Sequence, residues 1–319
     1  MECALILAAD CVVGESLQWD DRRGRLVWVD IIGRRIHALD PETGEHRQWP
    51  TPGRVTSIGL RADGGAIVGL ERTIALWDWG DDFRTVCEVE PDLPDNRLNE
   101  GVVGPDGAFW VGTMQNNIAE DDTPREITGQ SGRIYRYTAD GRLAPMTEHR
   151  FGLTNTFVWP GADRFVTADT SLNQLYLYRW DPATGLSSDR KILLDGFPRG
   201  LPDGSCLDAE GMIWNARVAG GGCLARITPE GDLLQVAELD CSWPTSCAFG
   251  GADLATLYVT SARFTMTQAH LDARPQEGGL FAIRPGVRGL PAHRFGAPES
   301  TRSTTDTRHA DPQTPSRAT

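Results

Sequence analysis

The sequence predicts an all-β fold: a six-bladed β-propeller of four-stranded antiparallel blades, with the ring closed by the N-terminal strand. Three observations predict it. A turn-and-strand unit recurs six times, starting at Glu15, Thr56, Glu100, Asn155, Asp203 and Thr245, with spacings of 41, 44, 55, 48 and 42 residues. Apolar residues alternate with period two, and helical periodicity is nearly absent. Gly (35) and Pro (20) supply turns along the whole chain. Repeats of about 40–50 residues, each holding several short strands, are the pattern of propeller blades.

The elements follow in order. ALILAADCVV (4–13) precedes the first complete unit and is expected to form the outer strand of the last blade. Ring closure removes the sheet edges that otherwise invite aggregation. Each unit then gives a short apolar-leaning piece, a turn with Gly or Asp, and a second apolar run, as in GVVGPDGAFWVGT (101–113) and PDGSCLDAEGMIW (202–214). A second hairpin follows in RRIHALDPETGE (34–45), GRIYRYTADGRL (132–143), NQLYLYRWDPATGL (173–186), GCLARITPEGDL (222–233) and GGLFAIRPGVRG (278–289), with a weaker copy in TIALWDWGDDF (73–83). Their D-P-x-T-G-like endings are hairpin signals. Trp19, Trp28, Trp110, Trp159 and Trp214 recur at matching places and read as packing between blades. The propeller is expected to span 1–296 as one domain. The tail 297–319 lacks aromatic and large aliphatic residues and is expected to be disordered.

Composition excludes several partners. The net charge of −13 argues against nucleic acid and anionic membrane, both of which need a basic face. No run of about 18 apolar residues is present, and the apolar start lacks a basic n-region. Seven cysteines, an odd number without a C-x-x-C pair, read as reduced thiols in a cytoplasmic protein, each a small buried hydrophobe. The expected assembly is a monomer or small homo-oligomer.

In a propeller, the starts of the six units surround the central channel at one end. That column offers carboxylate and amide oxygens, above all Glu15, Asn155 and Asp203, and none of the six histidines. Close carboxylates repel, and a bound cation relieves them. Oxygen-only ligation suits hard divalent cations.

The ordered stretches GESLQWD (14–20), NRLNEG (96–101), GTM (112–114), GLTNTFVW (152–159), PDGSCLDAEGMIW (202–214) and PTSCAFGGADLATLYVTSA (244–262) resemble the gluconolactonase/regucalcin (senescence marker protein) family of six-bladed sugar lactonases. The resemblance implies one divalent metal (Ca, Zn, Mn, Mg or Fe) held by Glu15, Asn155 and Asp203. It implies substrate contacts from Arg97 and Asn99, with Glu100 beside them, and an acid–base role for Asp203. The implied reaction is hydrolysis of a sugar-derived lactone to the aldonic acid. Two departures stand out: Glu100 replaces the family's common Asp, and Thr156 replaces a glycine after the ligand Asn155. Alternatives are a metal-dependent esterase or phosphotriesterase-like hydrolase, and a non-catalytic calcium-binding regulatory propeller. Arg97 could instead pair with Asp95 or Glu100. The polar stretch 115–132, with Asn117 in it, reads either as a loop at the channel mouth or as a solvated insertion. A Ser-His-Asp hydrolase is set aside, because no G-x-S-x-G is present.

Overall fold

A computed structural model describes residues 1–297. The expected tail therefore lies outside the described residues, Ala297 excepted. Six four-stranded antiparallel sheets form the ring. The first five blades are built in chain order, inner strand to outer. The sixth takes Cys3–Leu7 as its outer strand, paired antiparallel to Leu280–Ile283. One α-helix (Gln268–Ala273) and one 3-10 turn (Thr170–Leu172) are the helical elements among the described residues. Neither is long and apolar enough to cross a membrane.

The core lies between blades rather than inside any one of them. Val27, Val29 and Ile36 of blade 1 pack on Val55, Ile58 and Val68 of blade 2. Trp110 of blade 3 meets Trp159, Phe165 and Trp180 of blade 4. Trp214 of blade 5 meets Phe249 of blade 6. Each sheet thus buries both faces, which is why the second strands read as nearly continuous apolar runs. The turn acid before two of these tryptophans is structural. Asp106 accepts from the Trp110 indole and from Arg136, at 3.2 and 2.5 Å. Asp208 repeats this with Trp214 and Arg226, at 3.0 and 2.9 Å. All seven cysteines are free thiols.

The six innermost strands are Gly14–Asp20, Val55–Leu60, Asn96–Val103, Thr154–Val158, Leu201–Leu207 and Pro244–Gly250. Every one of them slips register against its neighbour near its start. Such bulges re-aim side chains and cluster next to sites. They also refine the repeat. Measured from the last paired residue, Glu15 and Asn155 match Leu98 and Pro202, so Asn99 and Asp203 stand one place further along.

The segment after the last strand has a role the sequence did not reveal. Ala209 donates to Arg288 O, Gly289 to Leu254 O, Phe295 to Leu60 O and Gly296 to Gly107 O, at 2.7–2.9 Å. Arg294 pairs with Asp20 at 3.1 Å, and Phe295 stacks on Tyr137. These contacts reach the innermost turns of five blades, on the face away from Glu15.

Candidate functional site

The bulges bring the predicted oxygen donors to one end of the channel. Asn155 and Asp203 are buried, while Glu15, Asn99 and Glu100 keep part of their surface open. The carboxyls of Glu15 and Asp203 stand against each other and interact. Glu15 Oε2 also accepts from the Ser16 amide at 3.1 Å, and Glu100 Oε1 from the Gly101 amide at 2.9 Å. Asn155 is oriented from both ends. Its Nδ2 donates to Thr170 Oγ1 at 2.8 Å, and its Oδ1 accepts from Asn99 Nδ2 at 3.1 Å. Thr170 in turn donates to Pro202 O at 2.7 Å, tying blade 4 to blade 5 beside Asp203.

Three acids in one enclosed place disturb one another. Burial, then the charges of Asp203 and Glu100, push the Glu15 carboxyl well above its ordinary value. Burial and the Glu100 charge do the same to Asp203, opposed in part by Arg217. Burial pushes Glu100 up to about 7, against hydrogen bonds from the Gly101 and Thr156 amides. Among the described residues, no guanidinium forms an ion pair with any of the three.

Arg97 is 5% exposed, and burial lowers its pKa to about 10. It does not take the carboxylate partners open to it from sequence. Its Nη1 donates to Leu98 O at 2.7 Å and Asn99 Oδ1 at 2.8 Å, and its Nη2 to Asn117 Oδ1 at 2.8 Å. Its Nε has no partner. Asn117 therefore stands against Arg97 in the candidate site, and the 115–132 stretch is not a free solvated insertion. Ile118 is buried among the residues between blades 1 and 2. Asp122 is held by Arg34 and Arg54, at 2.8 and 2.7 Å.

The departure at Thr156 is also resolved. The residue takes a left-handed φ of 59°, a conformation that costs a β-branched residue about 1 kcal/mol or more. Its hydroxyl compensates. It donates to the Asp203 carbonyl and lies 2.9 Å from Ser205 Oγ. Asn215 Nδ2 reaches the same carbonyl at 3.1 Å. Arg217 is 1% exposed and donates to Asn215 Oδ1 and Asn173 Oδ1, at 3.0 and 2.6 Å. The role of the Thr156 hydroxyl was missed in the sequence, as were Thr170, Asn215 and Arg217. The signal for the last two was there: N-A-R at 215–217 puts two polar residues on one face of an otherwise apolar strand.

A second cluster, Cys11, Asp30 and His37, has metal-ligand composition but is satisfied without one. The Asp30 carboxylate caps the amides of Val12, Val13 and Gly33, each at 3.0 Å. Cys11 Sγ accepts from the Trp28 indole at 3.5 Å, and His37 Nδ1 lies 3.1 Å from His46 Nε2. Burial pushes the Cys11 thiol up to about 12 and His37 down to about 3, which fits a neutral, structural pair.

The chain is similar to known proteins over most of its length. Residues 13–263 match the family model described as the SMP-30/gluconolactonase/LRE-like region. The chain is 35% identical to the 6-deoxy-6-sulfogluconolactonase of Pseudomonas putida, over 87% of this chain and 93% of that protein. It is 32% identical to regucalcin of Xenopus laevis, over 92% of this chain and 98% of that protein. The crystal structure of a calcium-binding protein, regucalcin from Agrobacterium tumefaciens, superposes with a TM-score of 0.82 at 28% identity, covering 91% of this chain and 96% of that one. The six-bladed ring, the acids at its channel mouth and these matches together place the chain in the SMP-30/gluconolactonase/LRE-like family, an enzyme family that includes the lactonase just named.

Proposed function

We propose that this protein hydrolyses a sugar-derived lactone to its aldonic acid at the channel mouth, with one divalent metal held by Glu15, Asn155 and Asp203. The observation that supports it most is the pairing of opposites in one enclosed place. Among the described residues, three buried or half-buried carboxyls lack an ion-pair partner, and a buried guanidinium beside them has only neutral acceptors. The donor set fits a hard cation: two carboxylates and an amide oxygen, with no sulfur or imidazole. A bound divalent ion would supply Lewis acidity toward the lactone carbonyl and make a bound water more acidic.

The remaining work falls to the side chains. Arg97, locked to Asn99 and Asn117, has one Nη2 hydrogen left for a substrate hydroxyl or carbonyl oxygen, and Asn99, whose Nδ2 donates to Thr154 O and Asn155 Oδ1, holds it beside the proposed metal ligand. Preorganised donors act without reorganisation as charge develops on the carbonyl oxygen. Asp203 takes the proton of the attacking water and returns it to the ring oxygen as the ester bond opens. Thr156 and Asn215 hold its backbone for that exchange. Glu100, the third acid, is assigned to substrate rather than to the ion.

Proton release on a panel of glucono-, galactono-, xylono- and arabinonolactone tests this, after chelation and after adding back Ca2+, Mg2+, Mn2+, Zn2+ or Fe2+. The reading requires metal-dependent acceleration that Asp203→Ala abolishes. A folded protein that binds metal and accelerates none of them would instead fit a calcium-binding role, the property named for the Agrobacterium structure.

A further inference from the structure

A cavity of about 420 Å3 opens at the outer rim between blades 1 and 2, away from the channel. It is lined by Arg23, Arg25, Arg47, Gln48, Trp49 and Trp79. No lining residue is acidic, in a chain whose net charge is −13. The guanidiniums are poorly compensated. Asp20 is shared by Arg23 at 3.0 Å and Arg294 at 3.1 Å, and stands 3.9 Å from Arg25. Arg47 has the exposed Glu45. Arg25 keeps both Nε and Nη2 without a hydrogen-bond partner.

The tryptophans hold these cations in place. Arg25 Cζ lies 4.1 Å from the Trp79 ring centroid and 5.8 Å from that of Trp49, and Arg23 Cζ lies 5.0 Å from Trp79. Trp79 is itself pinned, its indole donating to Gly64 O at 2.7 Å, and Arg23 Nη2 donates to the same carbonyl at 2.8 Å. An aromatic face beneath a guanidinium leaves its in-plane N–H edge to an oxyanion; the unpartnered Nε and Nη2 of Arg25 are buried, so the half-exposed Arg23 and the exposed Arg47 carry that edge at the surface of the cavity. The ordering cost of that edge is already met in the free protein.

We propose that this cavity is an anion site for a phosphomonoester of about sugar size. Three guanidiniums favour a dianion over a carboxylate, and the guanidinium fork matches phosphate oxygens in bidentate geometry. The volume exceeds what a phosphate group alone fills. The site is independent of the lactone chemistry.

Titration calorimetry with ribose 5-phosphate, inorganic phosphate, ribose and gluconate tests it, with tryptophan fluorescence as a second readout. Ribose 5-phosphate should bind saturably with Kd about 1 mM or tighter, more weakly at high salt, and more tightly than inorganic phosphate. Ribose should be silent. Arg47→Gln and Arg25→Gln should each weaken binding about tenfold or more. Arg47 is exposed, so its variant keeps the fold if Arg25→Gln does not. Absence of saturation by both phosphate probes would overturn the proposal. So would gluconate binding as tightly as ribose 5-phosphate, or unchanged affinity in Arg47→Gln.

Discussion

Arg97 Nη2 donates to Asn117 Oδ1 at 2.8 Å, joining the innermost strand of blade 3 to a loop that crosses to blades 1 and 2. A buried guanidinium is thereby aimed by a residue twenty positions away. Asn117→Ala should leave Arg97 short of one acceptor and free to turn. Steady-state lactone kinetics should show KM raised about tenfold, the scale of one charged hydrogen bond. Arg97→Ala should cost more in kcat/KM. Wild-type kinetics in Asn117→Ala would remove Asn117 from the site.

The loop depends on its clamp. Asp122 accepts from Arg34 and from Arg54, whose other terminal nitrogen pairs with Glu71. Asp122→Ala should speed amide exchange over 116–125 while the blades keep their protection. It should also raise KM more than it lowers kcat. Equal exchange in both proteins would show that the loop holds without the Asp122 clamp.

The acids at the channel mouth should separate by role. Glu15→Gln with Asp203→Asn removes both proposed anionic ligands, and calorimetry should then show loss of divalent-ion binding. Glu100→Gln should retain the ion and change substrate affinity. Retention of the ion by the double variant would refute the ligand assignment.

Thr156 offers a stability test. Thr156→Val keeps the shape and the strained φ of 59° but removes the hydroxyl that the Asp203 carbonyl and Ser205 share. Urea unfolding should show a loss of about 1–3 kcal/mol. An unchanged midpoint would mean that Asn215 alone satisfies that carbonyl.

His37 sets a pH dependence whose sign can be worked out. Its folded pKa is about 3 against an ordinary 6.5, because burial disfavours the charged ring. Below pH about 6.5 the unfolded chain binds a proton that the native chain refuses. The contribution is therefore complete above that pH and is lost progressively as pH falls toward 3. Between pH 7 and pH 5 it amounts to about 2 kcal/mol. His37→Gln should flatten the urea-midpoint difference between those two pH values by that amount. An identical pH slope in the variant would place the titration elsewhere.

Much of this protein is legible along the chain. The six repeats, their period-two strands and their Gly and Asp turns determine the ring. The N-terminal strand was expected in the last blade and pairs there with Leu280–Ile283. The tryptophans expected between blades are found there. Glu15, Asn155 and Asp203 were singled out because a repeat puts equivalent positions around one axis. The register slips, the left-handed turn at Thr156 and the reach of Asn117 were not legible. Each depends on contacts that no local pattern marks, as Thr156 of blade 4 with Asp203 of blade 5 and Arg97 with Asn117 twenty residues on do. The cross-base path of 285–297 was hidden for the same reason: its partners are turns in five blades, and no local pattern marks them. Sequence periodicity determines which elements form and how often they recur. Only the closed ring decides which side chains meet, because the site is built where all six repeats converge.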